Sequence, residues 1–197
     1  NVPLPARALI WQGPARASAD APALLVASAL LSDGESSRLN ASLVVRERLA
    51  TQVGFEADLN ADAGLLTAYA IGATGKPLDK VQAELLREIE RLARGPVPTV
   101  ELEKVRTRLL TGKLLERQTP MGQGMAIGEA VIWGGGYEAV NTDLQRLQAV
   151  TGSDVQRVLR EYVVGKPRVT LDYRQAAASG AASAPRAASA PAVKEGR

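Results

Sequence analysis

The 197-residue chain contains no histidine and no cysteine. From its own residues it therefore cannot build a His- or Cys-ligated zinc site or a His-dependent catalytic centre. Carboxylates are the only common metal-binding or acid–base groups left. Glu84 and Glu88 stand four apart among Lys80, Arg87 and Arg91, and that pattern reads as a solvated charged helix face rather than a catalytic pair. Glu101 and Glu103 fall in what should be the first turn of a helix, where acids complement the dipole. Ser36, Ser37 and Ser42 have no histidine to activate them and no G-x-S-x-G elbow to present them, so turn and capping roles are expected. The glycine runs Gly122-Gln-Gly124 and Gly134–Gly136 match neither G-x-G-x-x-G nor a phosphate-cradling P-loop. Gly134–Gly136 reads as a helix-terminating turn. Arg46 and Arg48 sit at the end of a helix, where cations favour the dipole. Their place beside a strand start also suits contact with a peptide backbone or C-terminus.

Alternating elements must position these groups. Residues 7–13 form a short apolar run stopped by Gly13-Pro14 and read as a buried strand. Residues 20–32 read as a helix, with Asp20 as cap and Pro22 in the first turn. A second helix is expected over 35–49, then strands over 51–58 and 63–73 around Asn60-Ala61-Asp62. Residues 78–94 place Val81, Leu85, Ile89 and Leu92 on one stripe of a helix. Gly95–Pro98 stops it, and Thr99 is expected to cap a helix striped by Leu102, Val105 and Leu109. Helices over 121–133 and 137–148 follow. Thr151 to Asp154 is a capping-box variant opening a helix that ends near Tyr162, and 167–174 reads as a last strand. The fold class is α+β: a mostly antiparallel sheet with helices packed on one face. Residues 1–175 make one domain. From Ala176 to Arg197 the chain is an Ala/Ser/Pro-rich tail whose composition implies disorder.

Composition narrows the partners. Hydrophobic residues are 46% and charged residues 23%, as in an ordinary globular protein. Only 4% are aromatic, so the core must rest on Leu, Val, Ile and Ala. The net charge of +3 comes without a Lys/Arg tract or interleaved aromatics, which argues against nucleic acid. No apolar run is long enough to span a bilayer. Asn1–Arg7 lack signal-peptide organisation and read as a Pro-rich interdomain linker, so a preceding segment is expected. A cysteine-free chain with such a tail suits a bacterial periplasm or cell envelope, with the cytoplasm as the alternative.

The pieces, in order, resemble the pitrilysin/insulinase family of zinc peptidases, which includes mitochondrial processing peptidase. The resemblance rests on Gly34-Glu-Ser-Ser37-Arg38-Leu39, Leu49-Ala-Thr51-Gln-Val-Gly54 and Asp62-Ala-Gly64-Leu65. It continues through Thr99-Val-Glu101-Leu-Glu103-Lys104 and Ala149-Val-Thr151 to Tyr162, covering about residues 5–174. It implies a clamshell of two similar α+β domains. An N-terminal domain or partner subunit would carry zinc in an H-x-x-E-H motif. The C-terminal domain, without metal or catalytic residues, would close the chamber and help grip a peptide that adds as a strand in the catalytic half. A histidine-free chain fits only the second role. Many members carry an Arg and a Tyr seven apart that bind the substrate backbone; here those positions are Val44 and Thr51. Arg46 and Arg48, together with Thr51, are therefore the expected substrate-binding residues. A non-proteolytic scaffold or interaction domain of the same fold is the alternative.

Overall fold

Residues 6–13 alternate buried and less buried side chains, with Arg7, Leu9, Trp11 and Gly13 buried. A strand with one covered face follows from that period of two. The computed structural model describes residues 4–174; the expected tail at 176–197 lies outside them. The strands are β1 (Ala6–Gly13), β2 (Ala50–Leu59), β3 (Gly64–Gly72) and β4 (Val169–Tyr173). They form one sheet in the order β2-β3-β1-β4, every neighbouring pair antiparallel. The helices are α1 (Ala21–Ser32), a π-helix (Asn40–Arg46), α2 (Leu78–Arg94), α3 (Thr99–Glu116), α4 (Pro120–Trp133), α5 (Ala139–Gln148) and α6 (Gly152–Tyr162). The α+β class is as expected.

The sheet's two faces differ. One carries Leu9, Trp11, Phe55, Leu66 and Ala68, all essentially without solvent exposure, and α1, α2 and α6 pack over the sheet there. Burying a Leu- or Phe-sized side chain is worth about 1.5–3 kcal/mol, so this layer dominates the stabilisation. The other face carries Ile10, Leu171 and Val169 and also Leu65, Tyr69, Ile71 and Tyr173. It is apolar along β4 and the adjoining part of β1 and polar along β2, where Gln52, Glu56 and Asp58 lie on it, and it is partly open: Leu171 keeps 40% and Leu65 50% of its exposure.

Several expectations change. Residues 35–37 form a turn, and the following helix passes into a π-helix whose Glu47 N–H donates to the Ser42 carbonyl at 2.9 Å. Nothing in local sequence distinguishes such a widened turn from an ordinary helix. Asp20 does not cap α1 with its side chain; its carboxylate instead takes Arg157 at 2.6 Å and the Tyr162 hydroxyl at 2.9 Å, tying α1 to α6. Thr99 is the first helical residue of α3, makes no side-chain cap, and Pro98 holds the cap position. The capping box at Thr151–Asp154 is formed in both directions. Gly134 to Gly136 do end α4, with Gly135 at φ 87°, a left-handed turn that suits glycine.

One buried cation fastens the far edge of the sheet. Arg7, 8% exposed, donates from Nε to Asp172 Oδ1 at 2.5 Å and from Nη2 to Asp172 Oδ2 at 2.7 Å. Its Nη1 donates to Asp79 at 2.8 Å and Gln82 at 3.0 Å. It thus joins β1, β4 and α2. These bonds hold the Asp172 carboxyl at about 2, against an ordinary 3.8. Because the folded value is the lower one, the stability gained is complete above about pH 4 and is lost as pH falls through about 2. Asp172→Asn is expected to cost about 1–2 kcal/mol near neutral pH, after allowance for solvent screening. Urea unfolding checks it: the two proteins should differ near neutral pH and converge near about pH 2. Equal stability near neutral pH would contradict the role given to Arg7.

Candidate functional site

The expected substrate residues lie at the junction where the π-helix enters β2. Arg46 closes the π-helix and lies half exposed across the carboxylates of α2. Its Nη2 donates to Ser42 Oγ at 2.6 Å and reaches Glu84 and Glu88 of α2, each at 3.4 Å, while its Nε meets Glu47 at 3.1 Å. Ser42 is buried and its hydroxyl donates to Glu84. Glu84 also takes Arg87 at 2.6 and 2.8 Å, and Glu88 takes Arg91 at 3.1 Å. Arg87 first and Ser42 next depress the Glu84 pKa. Glu47 first, then Glu88, raise that of Arg46.

The solvated face expected at Glu84 and Glu88 is therefore corrected. Glu88 is only 2% exposed and the Glu84 side chain 11%. The four-residue spacing does put both carboxylates on one face, but that face meets Arg46 and Ser42 of another helix. Their hydrogen-bonded partners offset part of the cost of burying them. The sequence carries a signal that was missed: Ser42 and Arg46 are also four apart, so two matched spacings lock together. Nothing local says that they meet.

Arg48 and Thr51 behave differently. Arg48 is exposed and adopts φ 50°, the only non-glycine positive φ among the described residues. Among those residues it makes no ion pair or side-chain hydrogen bond within contact range. Thr51 is the extra residue of a β-bulge: Ala50 pairs with Gly72 and Gln52 with Ile71. The bulge turns both Thr51 and Gln52 to solvent before burial resumes at Val53, as bulges re-aim side chains at sheet edges. Val44 is partly buried against the core. β2 is an edge strand, but α1 occupies part of that strand: Ser28 and Ser32 hydroxyls donate to the Phe55 carbonyl at 2.6 and 3.0 Å. The structure brings Arg48 and Thr51 to an exposed junction, and ties the half-exposed Arg46 to carboxylates of its own chain.

The remaining candidates take structural positions. Glu101 sits in the first turn of α3 and receives a two-pronged bond from Arg38 at 2.7 and 2.8 Å. Ser36 accepts from Lys104 at 2.6 Å. Among the described residues no group of three or more His, Cys, Asp or Glu is arranged to hold a metal ion. With no His or Cys in the whole sequence, the residues of this chain do not fit a catalytic zinc ion.

Comparison with known proteins settles the family. The profile described as the Peptidase M16 inactive domain matches residues 1–109. The chain belongs to the M16 peptidase family. It aligns with mitochondrial cytochrome b-c1 complex subunit 2 of Rattus norvegicus at 26% identity over 109 residues, 55% of this chain and 24% of that protein. Among solved structures it is similar to a candidate zinc protease from Bordetella pertussis Tohama I: TM-score 0.80, 29% identity, 88% of this chain and 94% of that one. The inactive peptidase domain of a candidate zinc protease from Bordetella parapertussis gives 0.78, 28%, 89% and 94%. A Helicobacter pylori protease shares the fold at TM-score 0.82 and 24% identity, over 88% of this chain but 42% of that one. The chain thus spans about a quarter of the curated relative and less than half of the Helicobacter chain. The pitrilysin/insulinase resemblance and the non-catalytic, C-terminal assignment within it are borne out.

Two substitutions separate the roles at the junction. Glu88→Ala removes a shared partner of Arg46 and Arg91, both about half exposed, and is expected to cost about 1 kcal/mol after allowance for solvent screening. Arg48→Gly removes a left-handed strain of about 1 kcal/mol and should leave stability equal or raised. Denaturant midpoints decide both. A stabilised Glu88→Ala, or an Arg48→Gly destabilised beyond about 1 kcal/mol, would contradict this division.

Proposed function

We propose that this chain is the non-catalytic C-terminal half of a zinc metalloendopeptidase. The zinc site would belong to an N-terminal domain or partner subunit. This half closes the chamber over it and helps hold the peptide. The observation that carries the reading is the uncovered sheet face, where Ile10, Val169, Leu171 and Tyr173 lie together. An antiparallel sheet facing water ordinarily alternates to polar residues on that side. An apolar one suits coverage by a second domain, and the relatives are long enough to contain one. The chamber's work is sequestration: a closed cavity admits extended peptides and excludes folded proteins. Arg48 and Thr51 supply the grip, an exposed cation and a bulge-directed hydroxyl beside an edge strand. The strain stored at Arg48 fits a residue kept for function rather than for stability.

A scaffold role is the second reading. Arg46 is engaged by three carboxylates, Val44 and Thr51 stand at the positions where the family's Arg/Tyr pair is expected, and the chain is similar to a cytochrome b-c1 subunit. The periplasm or cell envelope of a bacterium is the proposed location, checked by fractionation. The deciding assay uses the full-length protein loaded with zinc and an unfolded peptide. The peptidase reading expects cleavage, and Arg48→Gly should raise KM about 5–10-fold with kcat little changed, a loss of uniform binding. Absence of cleavage in the zinc-loaded protein sinks the peptidase reading and leaves the scaffold. Cleavage with unchanged KM sinks the role of Arg48 alone.

A further inference from the structure

α4 is held at its ends and hardly at all along its length. At its C-terminal end, Arg16 pairs with Glu129 at 2.8 Å and stands 5.5 Å from the Trp133 ring centroid. At its start, Thr119 caps Gly122, and a side chain on Gly122 would collide with the Glu116 carbonyl, so glycine permits the close α3–α4 joint. Between these ends Ala130 is the single buried residue of α4. Beneath the helix lies a cavity of about 510 Å³ walled by α1, α3, α4, α5 and the end of β2. Protein interiors are close-packed, and this open-sided space is large beside ordinary packing voids. It falls within the range that holds small ligands.

The walls indicate the chemistry. The floor is apolar, with Leu25, Leu59 and Leu147. Met121 and Met125, the chain's only methionines, are one turn apart, 75% and 59% exposed, and both line the cavity. Methionine makes adaptable apolar walls. The charged rim is unbalanced. Four cations (Arg16, Lys113, Arg117, Arg146) face three carboxylates (Glu116, Glu129, Asp143), leaving one positive charge over. Asp143 is shared by Arg117 at 2.5 Å and Lys113 at 3.6 Å, and Arg146 donates to the Ser18 carbonyl at 2.8 Å. The N-terminus of α4 opens beside Lys113 and Arg117 and adds favourable potential for an anion.

We propose that this cavity is a binding site for a small, mainly apolar molecule carrying one carboxylate-like group, with α4 as its adaptable wall. The apolar body lies on Leu25, Leu59 and Met125, and the anionic end meets Lys113 and Arg146. The site is separate from the Arg48–Thr51 junction and does not depend on the peptidase reading.

The test uses the two methionines. With methyl-labelled methionine, dodecanoate added below its micelle onset should shift the Met121 and Met125 methyl signals along a one-site saturation curve. Dodecyltrimethylammonium, of equal length and opposite charge, should bind at least about tenfold more weakly. Ala126→Phe, which fills the cavity, should abolish the saturable shift. Arg146→Gln, which removes the charge without filling the cavity, should weaken dodecanoate about fivefold and serves even where Ala126→Phe does not fold. Absence of a saturable shift, equal binding of the cationic chain, or unchanged binding by both variants would overturn the proposal.

Discussion

α1 has no polar face to give to water, and the domain is built around that constraint. Ala21, Ala23, Leu24, Val26, Ala27, Ala29, Leu30 and Leu31 are all buried. A helix apolar on every side must be enclosed. The sheet encloses it from below through β2, while α3, α5 and α6 close over it. Its few polar atoms become fasteners: Ser28 and Ser32 bond the Phe55 carbonyl, and Asp20 takes Arg157 and Tyr162. The same demand draws every helix toward one face of the sheet. The opposite face keeps its apolar residues half covered, and that asymmetry underlies the proposed assembly.

Polar groups were then placed at the edges of this enclosure, each with a partner distant in sequence. Arg7 holds β4 and α2 to β1. Arg160 and Gln156 of α6 donate to the Ala93 and Gly95 carbonyls that end α2. Arg46 joins the π-helix to α2. Arg48 takes no part in these ties and is set apart among the described residues by its left-handed backbone. A chain that ties its elements together with paired cations, yet keeps one Arg in the left-handed region beside a bulge, separates positions serving stability from positions open to a ligand.

Local rules read well where local interactions decide. The stripe Val81, Leu85, Ile89 and Leu92 is buried as its spacing requires. The Thr151–Asp154 box closes because both partners lie within one turn. The order of elements and the α+β class were legible for the same reason. Reading failed where a distant partner outbid a local one. Asp20 leaves its cap for α6, and Glu84 and Glu88 look solvated until the π-helix reaches them. The widened turn itself has no sequence signature, and neither does the bulge at Thr51. The cavity under α4 was hidden because the glycine-rich stretch was compared with phosphate loops. Its apolar composition, with two methionines one turn apart, was the available sign.

The central claim is that this domain completes a second, zinc-bearing half across its open sheet face. Titration calorimetry between this chain and the proposed zinc-bearing domain or partner subunit, produced separately, tests it most directly. A one-to-one association is expected, weakened at least about tenfold by Leu171→Lys, a change on an exposed edge-strand position that should leave thermal unfolding of the chain intact. No association, or association indifferent to Leu171→Lys, would contradict the account.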